Sequence, residues 1–149
     1  MQIISVACGY GFSVFCTKSK SSHQVFGTGL NSDSQIGTNH DVVNFIIIGP
    51  NWLFYSGYHA VNKGHPLEMI IEPVPIHLPT TDPVSKAACG RAHTVMLTKT
   101  GKAFTLGHNG YGQCGRTTIE NEDYQKQSTV HQVDIEEKVN QIVCGQDHR

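Results

Sequence analysis

KAACGRAHTVMLTKTGKAFTLGHNGYGQCG, residues 86–115, decides how the rest of the chain is read. Ala87, Cys89, Thr94, Met96, Ala103 and Thr105 start or continue runs of small, β-branched or sulfur-bearing side chains, the pattern of short strands. Thr100-Gly101 falls between two such runs, where a hairpin loop needs one residue at positive φ. Gly107, Gly110, Gly112 and Gly115 then crowd into one short segment. That density excludes a helix or a regular strand and predicts a fixed irregular loop.

The stretch recurs. Residues 6–17 align with residues 87–98 at Cys8/Cys89, Gly9/Gly90, Val14/Val95 and Thr17/Thr98. Residues 29–37 align with 107–115 at Gly29/Gly107, Asn31/Asn109, Gln35/Gln113 and Gly37/Gly115. Residues 139–148 repeat the opening once more, with Cys144, Gly145 and His148 standing for Cys89, Gly90 and His93. A repeat of about 50 residues, built from short strands and glycine punctuation, points to the blades of a propeller.

Cys-Gly-x-x-His, a hairpin, then Gly-x-Asn-x-x-Gly-Gln-x-Gly resembles the repeat of the regulator-of-chromosome-condensation family. That resemblance implies a seven-bladed β-propeller, of which this chain would hold about two and a half blades. Ala88-Cys-Gly-Arg-Ala-His93, Tyr111-Gly-Gln-Cys-Gly-Arg116, Glu120-Asn-Glu and Tyr124, and Cys144-Gly-Gln-Asp-His148 are most similar to the family's mitochondrial G-exchanging-factor-like branch.

The chain has 149 residues and a formal net charge of -1, with Lys and Arg nearly balanced by Asp and Glu. This leaves no electrostatic footprint for nonspecific binding to nucleic acid or an anionic membrane. Lys18 and Lys20 are the nearest approach to a basic cluster, and they read as solvated loop charges. Cys8, Cys16, Cys89, Cys114 and Cys144 are odd in number and form no Cys-x-x-Cys, which argues against a disulfide framework. Three of them share one repeat position, where a small hydrophobe packs on an inner strand.

In chain order, residues 1–37 form a repeat, 38–57 an anomalous insert, 58–85 a connection, 86–138 a second repeat and 139–149 the start of another. Strands are expected over 3–8, 13–17 and 24–27, with a polar loop over 17–23. Residues 73–78 and 128–133 read as matching connecting strands, and the prolines of the first confine it to an edge. Residues 120–126 read as a surface turn. The insert holds VVNFIIIGPNWLFY, residues 42–55, the most hydrophobic run of the chain. It is too short and too broken to span a bilayer, which needs about 20 apolar residues. The long Cys8-to-Cys89 interval, set against Cys89-to-Cys144, makes this insert read as a translated intron, with a genuine lid or partner hairpin as the competing reading. No Arg-rich presequence precedes Met1, so the mitochondrial resemblance makes Met1 an internal methionine.

No constellation for catalysis emerges. His93 and His148 share a position with Phe12, and a His that exchanges with Phe packs rather than reacts. Cys89 with His93, and Cys144 with His148, lie in different blades, whereas a zinc site needs four converging ligands. Cys114, near His108, takes the place of Ile36 and reads as packing. The glycine loop lacks Gly-Lys-Ser/Thr and is no phosphate loop. Asn31, Asn109, Gln35 and Gln113 are expected to hydrogen-bond the loop backbone. No cofactor and no metal are expected.

Function therefore follows from the resemblance. It implies a propeller that is not an enzyme in the catalytic sense, binding a GTPase and loosening its nucleotide, in mitochondria. Alternatives are a scaffold for mitochondrial ribosomal RNA maturation or ribosome assembly, and a nuclear chromatin-binding propeller. A partial ring leaves edges and apolar faces open, so the chain is expected to be unstable or to aggregate alone.

Overall fold

The computed structural model describes residues 1–20, 22–37, 45–48, 67–117 and 126–147. Its strands are β1 (Gln2–Cys8), β2 (Phe12–Lys18), β3 (His23–Leu30), β4 (Phe45–Ile48), β5 (Leu67–Ile76), β6 (Val84–Cys89), β7 (His93–Thr98), β8 (Ala103–His108) and β9 (Lys126–Gln132). They build two antiparallel sheets, ordered β1-β2-β3-β5-β4 and β6-β7-β8-β9. Each sheet is one propeller blade, and among the described residues there is no helix. The protein is all-β, a partial propeller.

The two blades share irregularities as well as strands. The first hairpin slips between Ile3 and Ser5 in one blade and between Val84 and Lys86 in the other. The third strand slips between Gly27 and Gly29, and again between Thr105 and Gly107. The first slip adds one residue to the first strand and the later slip two to the outer strand, alike in both blades, and such irregularities bend the strand. In register, Phe12 opposes Gly29 and His93 opposes Gly107.

Side chains alternate across a strand, and this parity decides which blade each residue serves. Phe12, Val14 and Cys16 face the second blade and join Met96, Phe104 and Leu106 in one buried cluster. Ile36, Ile70, Val74 and Ile76 complete that cluster from the first blade. All six residues of β7 are buried, whereas β2 leaves Ser13 and Phe15 half-buried and Lys18 exposed. β7 lies in the blade that has a neighbour on its first-blade side and the 139–147 run beside its turn. β1 has no such cover: Ile3 is 58% and Val6 53% exposed.

Several boundaries differ from the sequence reading. β2 and β3 run to Lys18 and His23, which pair with each other and leave a hairpin loop shorter than expected. Backbone pairing carries these polar ends into the ladder, Lys18 exposed and His23 half-buried. β4 lies within the range read as insert, and β5 within the range read as connection. Both belong to the first blade's sheet, where β4 pairs with residues 67–70 of β5. Pro73 and Pro75 lie beyond that pairing, on a stretch that among the described residues pairs with β3 alone, the edge position that prolines favour. Residues 139–147 contain no strand. The expected turn at 120–126 lies almost wholly outside the described residues, as does the rest of the insert.

Ile3→Thr with Val6→Thr is expected to lower the self-association of the chain without loosening its core, because both side chains face solvent. Light scattering against concentration checks this; unchanged scattering would show that the open β1 face does not drive association.

Candidate functional site

The repeat signature converges on the junction between blades. In the first blade Gly9 N donates to Phe12 O (2.9 Å), and in the second Gly90 N donates to His93 O (2.9 Å). Each glycine lies under the ring of the residue three positions on. A Cβ on Gly9 would overlap the Phe12 ring and sit 2.6 Å from Gly90 O; one on Gly90 would overlap the His93 ring and sit 2.7 Å from Gly145 O. Phe12 and His93 thus do the same packing task, and His93 is fully buried. Gly29 and Gly107, at φ 104° and 105°, let the third strand pass the same turn. There Leu30 N donates to Gly11 O (2.8 Å), and His108 N donates to Ala92 O (2.8 Å).

Further bonds tie one blade to the next. Thr94 Oγ1 donates to Gln35 O (2.8 Å), so the first blade's glycine loop is anchored on the second blade's middle strand. Arg91 N donates to Gln146 O (2.7 Å), and the Arg91 guanidinium pairs with Asp147 at 3.5 Å.

Two buried thiols, Cys89 and Cys16, are held protonated. Burial pushes Cys89 up to about 12, with the nearby Cys144, Cys8 and Cys16 adding to the rise and the Thr94 hydroxyl opposing it. Burial pushes Cys16 up to about 11. The thiolate is the nucleophilic form, so neither is poised to attack. Cys144 is half-buried, and Cys8 is exposed. Among the described residues no three His, Cys, Asp and Glu side chains converge as a metal would require. His148 lies outside the described residues.

The two glycine loops share one scaffold. Asn31 Oδ1 accepts from Ile36 N (2.9 Å) while its Nδ2 donates to Gly37 O (2.8 Å). Asn109 Oδ1 accepts from Cys114 N (2.9 Å), and its Nδ2 donates to Arg116 O (3.4 Å). Gln35 Oε1 accepts from Asp33 N (3.0 Å), as Gln113 Oε1 accepts from Tyr111 N (2.8 Å). Ile36 and Cys114 are wholly buried beneath the loops. Gly37 and Gly115 close them at positive φ.

The loops differ in what they display. In the second, Gln113 Nε2 lies 2.7 Å from His108 Nδ1. Because Gln113 Oε1 already serves Tyr111 N, the amide nitrogen donates, Nδ1 accepts, and the His108 proton sits on Nε2. His108 and Tyr111 form a tilted ring pair with centroids 5.9 Å apart, and Tyr111 is 75% exposed. Leu30 and Asp33 hold those places in the first loop.

The cross-blade bond from Thr94 to Gln35 escaped the sequence reading. So did Ser34, whose alignment with Gly112 was the available signal. Ser34 has φ 56°, the left-handed region that Gly112 occupies at 73°. Its buried hydroxyl has no partner among the described residues.

Gly90→Ala is expected to cost about 1–3 kcal/mol through overpacking, read as a lowered urea midpoint. His93→Ala in that background should not restore it, since the Gly145 carbonyl still blocks the methyl. Ser34→Gly should stabilise the chain by about 1 kcal/mol, relieving both the left-handed strain and the orphaned hydroxyl; a lower midpoint would refute that.

Two overlapping matches to the regulator of chromosome condensation (RCC1) repeat cover residues 84–113 and 100–149. The Homo sapiens "RCC1-like G exchanging factor-like protein" is 38% identical over 152 residues, covering 99% of this chain and 29% of that protein. The Arabidopsis thaliana "RCC1 domain-containing protein RUG3, mitochondrial" is 26% identical over 122 residues, covering 82% of this chain and 21% of that one. The crystal structure of human WBSCR16 superposes with a TM-score of 0.70 at 35% identity, over 97% of this chain and 31% of that chain. The chain thus spans less than a third of the length of these relatives.

Proposed function

Because this chain is built of regulator of chromosome condensation repeats, we propose that it is the protein-binding part of a guanine-nucleotide exchange factor-like propeller that works in mitochondria. The observation that carries this reading is the 38% identity to the human G exchanging factor-like protein across 99% of the chain. The mitochondrial relative from Arabidopsis supports the location.

The chemistry asked of such a protein suits the geometry. An exchange factor binds the nucleotide-free state of its partner more tightly than the loaded state, and that differential affinity is what expels the nucleotide. This needs a shaped, rigid surface and no bond-making side chain. The glycine loops provide rigid surface, since their side-chain amides hold the backbone from within. The thiols raised by burial take no part in such a mechanism. The shared signature residues, from Cys8 and Gly9 to Cys144 and Gly145, hold the blades together, and the displayed loop residues meet the partner.

Release of a fluorescent guanine nucleotide from a panel of purified GTPases, measured with the longest natural form of the protein, tests this. At least one member should lose nucleotide about tenfold faster, a shift of about 1.4 kcal/mol. No acceleration across the panel, together with crosslinking of the same protein to mitochondrial ribosomal RNA, would replace this reading with that of an RNA-maturation scaffold.

A further inference from the structure

Tyr10, Arg91, His108 and Tyr111 start from backbone that the blade junction brings together. Gly9 lies against the Gly90 carbonyl, which sets Tyr10 and Arg91 on neighbouring turns. His108 N donates to Ala92 O, which sets His108 beside Arg91, and Tyr111 pairs with the His108 ring. Tyr10 is 58% and Tyr111 75% exposed. None of these side chains belongs to the buried core cluster.

The first blade serves as an internal control. It builds the same glycine loop, with the same asparagine and glutamine bonds, while carrying Leu30 and Asp33 where the second carries His108 and Tyr111. The scaffold therefore does not require a histidine and a tyrosine at those places. Their display is an addition, and it is preorganised: Gln113 fixes the ring of His108 and, through Tyr111 N, the chain at Tyr111. Rigid aromatic and arginine side chains lose little freedom on docking and are the residue types that dominate protein interfaces.

We propose that Tyr10, Arg91, His108 and Tyr111 form one docking surface for a folded protein that presents a carboxylate edge. The inference rests on the exchange-factor reading above and takes the GTPase as the partner. Carboxylate is the complementary chemistry because the surface offers donors: His108 Nε2–H, the tyrosine hydroxyls and the Arg91 guanidinium. Arg91 now meets Asp147 at 3.5 Å with both side chains over a third exposed, a pairing weak enough for an incoming carboxylate to replace.

The test is a double variant, His108→Leu with Tyr111→Asp, which installs the first loop's own residues and so has a precedent for folding in the same chain. Binding to purified nucleotide-free GTPases is measured in the longest natural form of the protein, with Lys20→Ala on the far hairpin as the control. The double variant should weaken binding at least tenfold while its thermal midpoint and the control's affinity stay put. A GTPase that binds the wild type and loses less than tenfold in the double variant would overturn the surface and leave the exchange-factor reading standing. If no GTPase binds the wild type, the reading falls and the surface falls with it.

Discussion

The structure depends on a place where there is no room for a side chain. At Gly9 and Gly90 the backbone of one blade meets the carbonyl of the next, with an aromatic ring packed on the same carbon. That contact sets the spacing of the blades at the turn. The parity of β2 then sends Phe12, Val14 and Cys16 forward into the second blade. The bond from Thr94 to the Gln35 carbonyl fixes the outer part of the same joint. Once these are in place, Met96, Phe104 and Leu106 are covered and the core exists. Removing the contact would leave two sheets that each lack a partner for one face.

Much of this was legible because the chain repeats itself. The alignment of Cys8 with Cys89 and of Asn31 with Asn109 gave the blade, and the exchange of Phe12 for His93 gave the task of that position. What escaped was of two kinds. Bonds between residues far apart in sequence, such as Thr94 to Gln35, leave no local pattern to read. Strand ends such as Lys18 and His23 join the ladder through backbone groups, so hydropathy does not mark them. Ser34 was a different miss. A serine gives no hint of left-handed backbone by itself, and only its alignment with Gly112 does. Cys8 was read as buried by its type, yet it is exposed.

Scaffold and display separate cleanly in this protein. Asparagine and glutamine side chains do inside each glycine loop what a second strand does inside a sheet: they satisfy backbone groups that would otherwise be stranded. With the backbone settled, the outward positions are free to vary, and between the two blades they do. Burial pushes the Cys16 and Cys89 thiols away from their reactive form. What distinguishes one blade from another to a partner is a few side chains on a common frame.

The bond from Thr94 to Gln35 also says where such a chain can be cut and rejoined during its history. The grip between blades is made by the loop of one and the turn and middle strand of the next, so a crossover at a blade's visible edge would separate its two halves. A crossover in the hairpins at 19–22 and 99–101 keeps the Thr94–Gln35 bond inside one unit, while the Gly9–Gly90 contact then forms between units. A module that holds this bond whole is staggered against the blade: it begins at β3, takes in the glycine loop, and ends with β7 of the following sheet. Duplicating that offset unit would lengthen the array while carrying the loop-to-strand bond along intact.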